Sequence, residues 1–171
     1  MKLRDIIKRL EKAYCGTLAA EYLNLTSREE SNFLRNKFET EWPDYNPPKS
    51  IKMDIHEHIS WSVLFEEFLQ KKFTTAKRFG LEGLEGAITG MRSIVRRSGE
   101  LGVKNFNIGM AHRGRLNVLA NVLRKPISQI LAEFQGNYVQ EESMTSGDVK
   151  YHLGTHLTRV YGDGLKVDIV K

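Results

Sequence analysis

The stretch VKNFNIGMAHRGRLNVLANVLRKP, Val103 to Pro126, decides the fold. Val103, Phe106, Ile108 and Met110 predict a short buried strand, and Ala111 to Arg115 a polar loop. Leu116, Val118, Leu119, Val122 and Leu123 then predict a helix ended by Pro126. Strand, loop and helix after a helical approach are the grammar of an α/β domain. In open α/β sheets ligands bind beyond the carboxyl ends of the strands, where Ala111 to Arg115 is expected to lie.

Upstream of this stretch the signals are helical. Leu84, Ile88, Met91, Ile94 and Val95 predict a helix over Leu81 to Ser98, with Gly99 and Gly102 at its end. A further helix is predicted over His56 to Lys72, its apolar side formed by Ile59, Val63, Leu64 or Phe65, Phe68 and Leu69. Pro43, Pro47 and Pro48 break the pattern and leave an extended connector from Asp44 to Ser50. Thr26 and Ser27, followed three residues on by Glu29 and Glu30, predict a capped helix over Ser27 to Glu39. Leu3, Ile6, Ile7, Leu10 and Ala13 predict an amphipathic first helix that stops near Gly16. Downstream, the chain is polar from Gly136 to Gly147. Val149 to Leu153 and Leu165 to Val170 read as strands, the second entered through a turn at Asp163-Gly164. This gives two regions: residues 1–50, helical with a Pro-rich connector, and 51–171, helices and the opening part of an α/β domain.

Bulk properties narrow the class. A chain of 171 residues, 40% hydrophobic and 27% charged, has the composition of a globular protein. No apolar run reaches the roughly 20 residues that span a bilayer, so no membrane role is expected. Cys15 is the only cysteine and cannot form an intrachain disulfide, which points to a reducing compartment. Asp5 and Glu11 argue against reading the charged start as a transit peptide. The net charge of +5 is spread among acids, with Arg92, Arg96 and Arg97 the densest basic cluster. Nucleic acid is therefore not expected as a partner.

Three segments carry residues suited to chemistry. In Gly109 to Asn117, Gly109 and Gly114 permit tight turns around an imidazole and two guanidiniums at the head of a helix. Arginine forks suit phosphate or carboxylate, and His112 supplies a proton donor near neutral pH. The residues alone equally permit His112 to cap a carbonyl while the arginines make surface pairs. Gly147 to Gly154 places His152 between glycines, with His156 nearby; by itself it reads as a polar strand edge. Lys77 to Gly83 reads either as an anion-binding helix start or as a solvated loop. Gly162-Asp163-Gly164 reads as a turn, and no metal site is expected. His56 and His58 lack a third ligand, and Cys15 lacks a base beside it.

Taken together, KRFGLEG (Lys77 to Gly83), IGMAHRGRLNVLANV (Ile108 to Val122) and GDVKYHLG (Gly147 to Gly154) resemble the first component of the 2-oxoglutarate dehydrogenase complex, in order and spacing. YCGTLAAEYLNLTSREE (Tyr14 to Glu30) resembles that family's helical lead-in. The resemblance implies an α/β domain of the thiamine-diphosphate-binding type, here incomplete, with thiamine diphosphate and Mg2+ as cofactors and metal ligands beyond this chain. It implies oxidative decarboxylation of 2-oxoglutarate, with the cofactor as electron sink and the succinyl unit passed to the lipoyl group of a partner succinyltransferase. Lipoamide dehydrogenase would be the other partner, and the full-length enzyme a homodimer. His112 and His152 would line the active centre, and Arg113 would lie by the cofactor. KYHLG and KRFGLEG stand closer to the oxoglutarate branch than to the 2-oxoadipate branch. The family's magnesium-binding Asp and Asn, its later active-site histidine and its other domains have no counterpart here, so no independent activity is expected. A non-catalytic partner-binding module is the alternative. The compartment would be the cytoplasm of a bacterium or the mitochondrial matrix of a eukaryote.

Overall fold

Helix-forming periodicity fills the first hundred residues, and the structure, a computed structural model, answers it with four helices before the first strand. It describes residues 2–135 and 155–171. Internal contacts divide the chain into Met1–Lys49 and Ser50–Lys171.

In the first unit, α1 (Leu3–Tyr14) matches its predicted span. Ser27 caps α2 (Arg28–Asn36), its side chain accepting from the Glu30 N–H at 3.3 Å, so Ser27 rather than Thr26 supplies the cap. The helix then widens into one π turn, Lys37–Glu41, and tightens into a 3-10 turn, Trp42–Asp44, that contains Pro43. Polar groups and rings hold this unit together. Arg9 donates to the Glu39 carbonyl at 2.9 Å and pairs with Asp44 at 2.9 Å, while Tyr14 donates to Glu39 at 2.6 Å. Desolvation, with hydrogen bonds to Glu39 and Tyr22, pushes the Tyr14 hydroxyl well above its ordinary pKa. Phe38, Trp42 and Tyr45 form a run of stacked rings beside Tyr14.

The second unit opens within α3, Lys49–Lys72, which starts seven residues before the predicted His56. The predicted connector persists over residues 45–48, but the helix begins directly after Pro48, because proline costs no hydrogen bond where a helix begins. The buried seam of α3 is His58, Ser62, Phe65, Glu66 and Leu69. Val63 and Phe68, expected inside, are exposed, and of the alternatives Leu64 and Phe65 it is Phe65 that is buried. The seam is rotated because Ser62 and Glu66 are buried in a polar network described below. A second helix, α4 (Glu85–Glu100), begins four residues after the predicted start and buries Ile88, Thr89 and Val95. Its Gly99 lets α4 approach the sheet closely: an added Cβ would lie 2.7 Å from Val167 Cγ2.

Among the described residues, three strands form one mixed sheet in the order β1-β3-β2. Here β1 is Asn105–Asn107, β2 is His156–Val160 and β3 is Lys166–Val170. The central strand β3 runs parallel to β1, with Phe106 opposite Ile169, and antiparallel to β2, with Thr158 opposite Asp168. Val167 and Ile169 on β3 are fully buried against α4 and the helix that follows β1. That helix, α5 (Arg115–Asn117), runs on as a π turn through Val122. Its two sides enter two cores. Val118, Val122 and Leu123 pack with Ile88, Val95, Val167 and Ile169; Leu116 and Leu119 pack with Phe65, Leu69 and Ile130. The last helix, α6 (Ile127–Phe134), supplies Ile130 and was absent from the sequence reading. The architecture is thus α/β in the coarse sense of helices around a small mixed sheet. The expected strand at Val149 to Leu153 lies outside the described residues.

Candidate functional site

Strand β1 delivers the chain to the loop Gly109 to Gly114, beyond its carboxyl end, as the α/β reading expects. Gly114 turns the chain into α5 with φ +70°, and its N–H donates to the Phe79 carbonyl at 2.8 Å. An added Cβ at Gly114 would meet Leu81 Cδ1 at 2.3 Å, so both the backbone sign and the close approach require glycine. The Phe79 backbone is itself left-handed, with φ +44°. The Phe79 ring lies tilted against the half-buried His112 imidazole at 5.3 Å between centroids. Arg113 is exposed and donates from Nη2 to the Glu82 carbonyl at 2.9 Å. Residues 79, 81 and 82 thus each touch residues 112, 113 or 114. Two segments singled out separately in the sequence form one surface.

Beneath that surface lies a buried polar network. Glu66 Oε1 accepts from the Leu81 N–H at 3.1 Å and from Asn117 Nδ2 at 3.0 Å. Asn117 Nδ2 also donates to the Ser62 carbonyl at 3.1 Å, and Asn117 Oδ1 accepts from Asn121 Nδ2 at 2.7 Å. Burial pushes the Glu66 carboxyl above its ordinary pKa, and the hydrogen bonds from Asn117 and Leu81 oppose that shift. The sequence offers no sign of Glu66, and it brings in Asn117 only as the last residue of the Gly109 to Asn117 stretch, with no role of its own. Glu66 sits in a Glu-Glu pair that reads as a solvated helix face, and only its tertiary partners distinguish it.

The other end of α5 carries cations. Arg92 donates to the Asn121 carbonyl at 2.9 Å and Arg159 to the Val122 carbonyl at 3.4 Å. Burial, with the charges of Arg159 and Arg124 nearby, lowers the Arg92 guanidinium to about 10. Arg96 and Arg97 pair instead with Glu100, each at 3.1 Å, so the basic cluster of α4 is divided between a carboxylate and a helix end.

The remaining sequence candidates separate cleanly. His152 and the rest of Gly147 to Gly154 lie outside the described residues. His156 is exposed on β2. Gly162-Asp163-Gly164 is the β2–β3 turn, where the Gly164 N–H donates to the Tyr161 carbonyl at 2.9 Å and Asp163 accepts from the Leu165 N–H. His58 is buried with Nδ1 3.3 Å from Asp54, and Cys15 is exposed. Among the described residues no group of three or more His, Cys, Asp or Glu side chains is placed to hold a metal ion. Nor is any helix among them long and apolar enough to cross a membrane.

The fold and this surface define an α/β segment whose exposed, cation-bearing loop follows a strand. No protein-family model matches the chain. It is 46% identical over 169 residues to the mitochondrial 2-oxoglutarate dehydrogenase of Dictyostelium discoideum, covering 98% of this chain and 17% of the relative. It is 43% identical over 169 residues to the mitochondrial 2-oxoglutarate dehydrogenase of Saccharomyces cerevisiae, covering 99% and 17%. The Caenorhabditis elegans protein of that name is 42% identical over 160 residues, covering 94% and 15%. The chain is therefore homologous, over nearly its whole length, to a segment of 2-oxoglutarate dehydrogenase. It spans about one sixth of the length of the curated relatives it matches.

Proposed function

We propose that this chain supplies part of the active centre of a thiamine-diphosphate-dependent 2-oxoglutarate dehydrogenase and does not catalyse the reaction alone. The observation that supports this reading most directly is the joining of Lys77 to Gly83 with the His112 loop at one exposed surface. When bound, the cofactor supplies an electron sink for decarboxylation. The residues of this chain do the positioning. Arg113 has committed one of its five N–H donors to Glu82, and its fixed charge and exposure suit a diphosphate or carboxylate oxygen. His112, clasped against Phe79, is suited to orient the substrate and to exchange a proton with its keto oxygen. His152 is assigned the same surroundings by its motif. The resemblance assigns Mg2+ to residues beyond this chain.

Substrate and partners follow the same reading: 2-oxoglutarate, the lipoyl-bearing succinyltransferase, lipoamide dehydrogenase and a second copy of the full-length enzyme. The relatives are named mitochondrial, and a eukaryotic source would place this chain there.

Calorimetric titration of thiamine diphosphate with Mg2+ tests the reading, on this chain and on the chain extended by its downstream reading frame. The extended protein is expected to bind cofactor and to decarboxylate 2-oxoglutarate, and to lose at least about 100-fold in kcat on His112→Ala or His152→Ala. An extended protein that binds no cofactor would exclude the catalytic role and leave a partner-binding module.

A further inference from the structure

The His112 loop is braced from within by the Arg115 N–H on the His112 carbonyl at 3.0 Å, and it is tied outward by the Gly114 N–H on the Phe79 carbonyl and by Arg113 on the Glu82 carbonyl. Its placement against the fold therefore depends in part on where residues 79–82 lie. Those residues belong to no helix or strand. Their link to the helical frame is Leu81, whose N–H is taken by Glu66 Oε1 and whose side chain enters the core. The same oxygen holds Asn117 in the first turn of α5. One buried carboxylate oxygen on α3 thereby sets two separate segments, one on each side of His112. A carboxylate accepts two such donors more strongly than a neutral group, and it accepts without needing to donate.

We propose that Glu66 is a positioning residue for the His112–Arg113 surface, acting through Leu81 and Asn117 and touching neither substrate nor cofactor. The proposal rests on the catalytic reading of that loop, and its test separates the two. Leu81 retains its side chain in the core when Glu66 is removed, so the fold survives while the turn loses its register. Charged groups near the Glu66 carboxyl are Glu82 and Arg78, which oppose each other. The acceptor geometry, not a net local charge, is therefore the functional property. Glutamine preserves an acceptor oxygen for both donors; alanine preserves none.

The test uses the full-length enzyme with thiamine diphosphate and Mg2+ bound, as wild type, Glu66→Ala, Glu66→Gln, Ile130→Ala and His112→Ala. Ile130 lies in the neighbouring core and serves as a control for lost stability that leaves the hydrogen bonds from Glu66 to Leu81 and Asn117 in place. Glu66→Ala is expected to lower kcat by about 100-fold with a much smaller change in KM, since misplacing a loop by about 1 Å costs on that order. Glu66→Gln is expected to restore kcat to within a few fold of wild type, while Ile130→Ala loses thermal stability but keeps kcat per folded molecule. Hydrogen exchange at the Leu81 and Gly114 amides, read independently of activity, is expected to accelerate in Glu66→Ala alone. Activity that falls in Glu66→Ala only as far as in Ile130→Ala, or amides that exchange at the wild-type rate, would overturn the proposal. Accelerated exchange alongside a fully active His112→Ala would keep the tether and remove the catalytic reading of the loop.

Discussion

The two ends of α5 are built from the same kind of sequence, polar residues around an apolar run, yet the protein treats them in opposite ways. At the far end, the carbonyls of Asn121 and Val122 are taken by Arg92 and Arg159, and Lys125 is buried against Glu133 at 2.5 Å. Cations there complement the negative end of a helix, and two of them are spent on the protein's own carbonyls. At the near end, the Gly114 N–H is tied to the Phe79 carbonyl and a single Arg113 N–H to the Glu82 carbonyl, while the Arg113 side chain keeps its exposure. Charge that is consumed internally supports the fold. Charge held rigidly at the surface by other groups is what recognition requires.

The sharpest way to break this comparison is at the consumed end. The Lys125 and Glu133 side chains are only 7% and 13% exposed, so removing one leaves the other buried and unpaired. Lys125→Ala is expected to cost about 3–5 kcal/mol by chemical denaturation, with no specific effect on cofactor affinity. A cost below about 1 kcal/mol would show that water already reaches the pair. Gly114→Ala is expected to cost somewhat less, about 2–4 kcal/mol, from a left-handed φ forced on alanine and from the collision with Leu81. Unlike Lys125→Ala, it should also abolish activity in the full-length protein, because the strain falls on the loop itself. Equal activity in the two variants at matched stability would erase the distinction between the ends.

A smaller effect is expected from Asn117→Ala, which deletes three hydrogen bonds at once within the buried network. Leaving Glu66 and Asn121 short of partners costs about 1–3 kcal/mol. Asn117→Asp should be worse than alanine, since it sets a second carboxylate against Glu66. Thermal denaturation of the two variants side by side checks the order.

These contrasts also explain what was legible in the sequence. Ser27, the Asp163-Gly164 turn, α1 and β3 were readable because the cap, turn and periodicity are local properties of a few neighbouring residues. The loop at His112 was readable for the same reason: a glycine, an imidazole and guanidiniums stand together in the chain. Helix α6 is hard to read although Ile127, Ile130, Leu131 and Phe134 carry helical spacing, because Pro126 marks the end of one helix as readily as the residue before the start of the next. Strand β2 was missed because its inward positions alternate Leu157 with Arg159, whose stem is half buried while its charge reaches Val122. Glu66 was the least legible of all. Burial of a carboxylate is decided by residues 15 and 51 positions away, and nothing in Phe65-Glu66-Glu67 distinguishes it from its exposed neighbour.

That buried carboxylate yields the smallest expected effect and the most specific one. The folded pKa of Glu66 is raised by burial, less the opposing hydrogen bonds, so the native state holds the proton more tightly than the unfolded chain. The sign follows from linkage: the contribution of Glu66 to stability is full below the ordinary glutamate pKa of 4.5 and is lost as pH rises through the raised folded value. Above that value it is level. Glu66→Gln does not titrate, so the stability of the variant relative to wild type should rise across that same window and then stay constant. Denaturation midpoints of the two proteins measured from pH 4 to pH 8 test this. A relative stability that instead falls with rising pH would mean that the Leu81 and Asn117 donors outweigh desolvation, making the ionised carboxylate a net source of stability as well as of position.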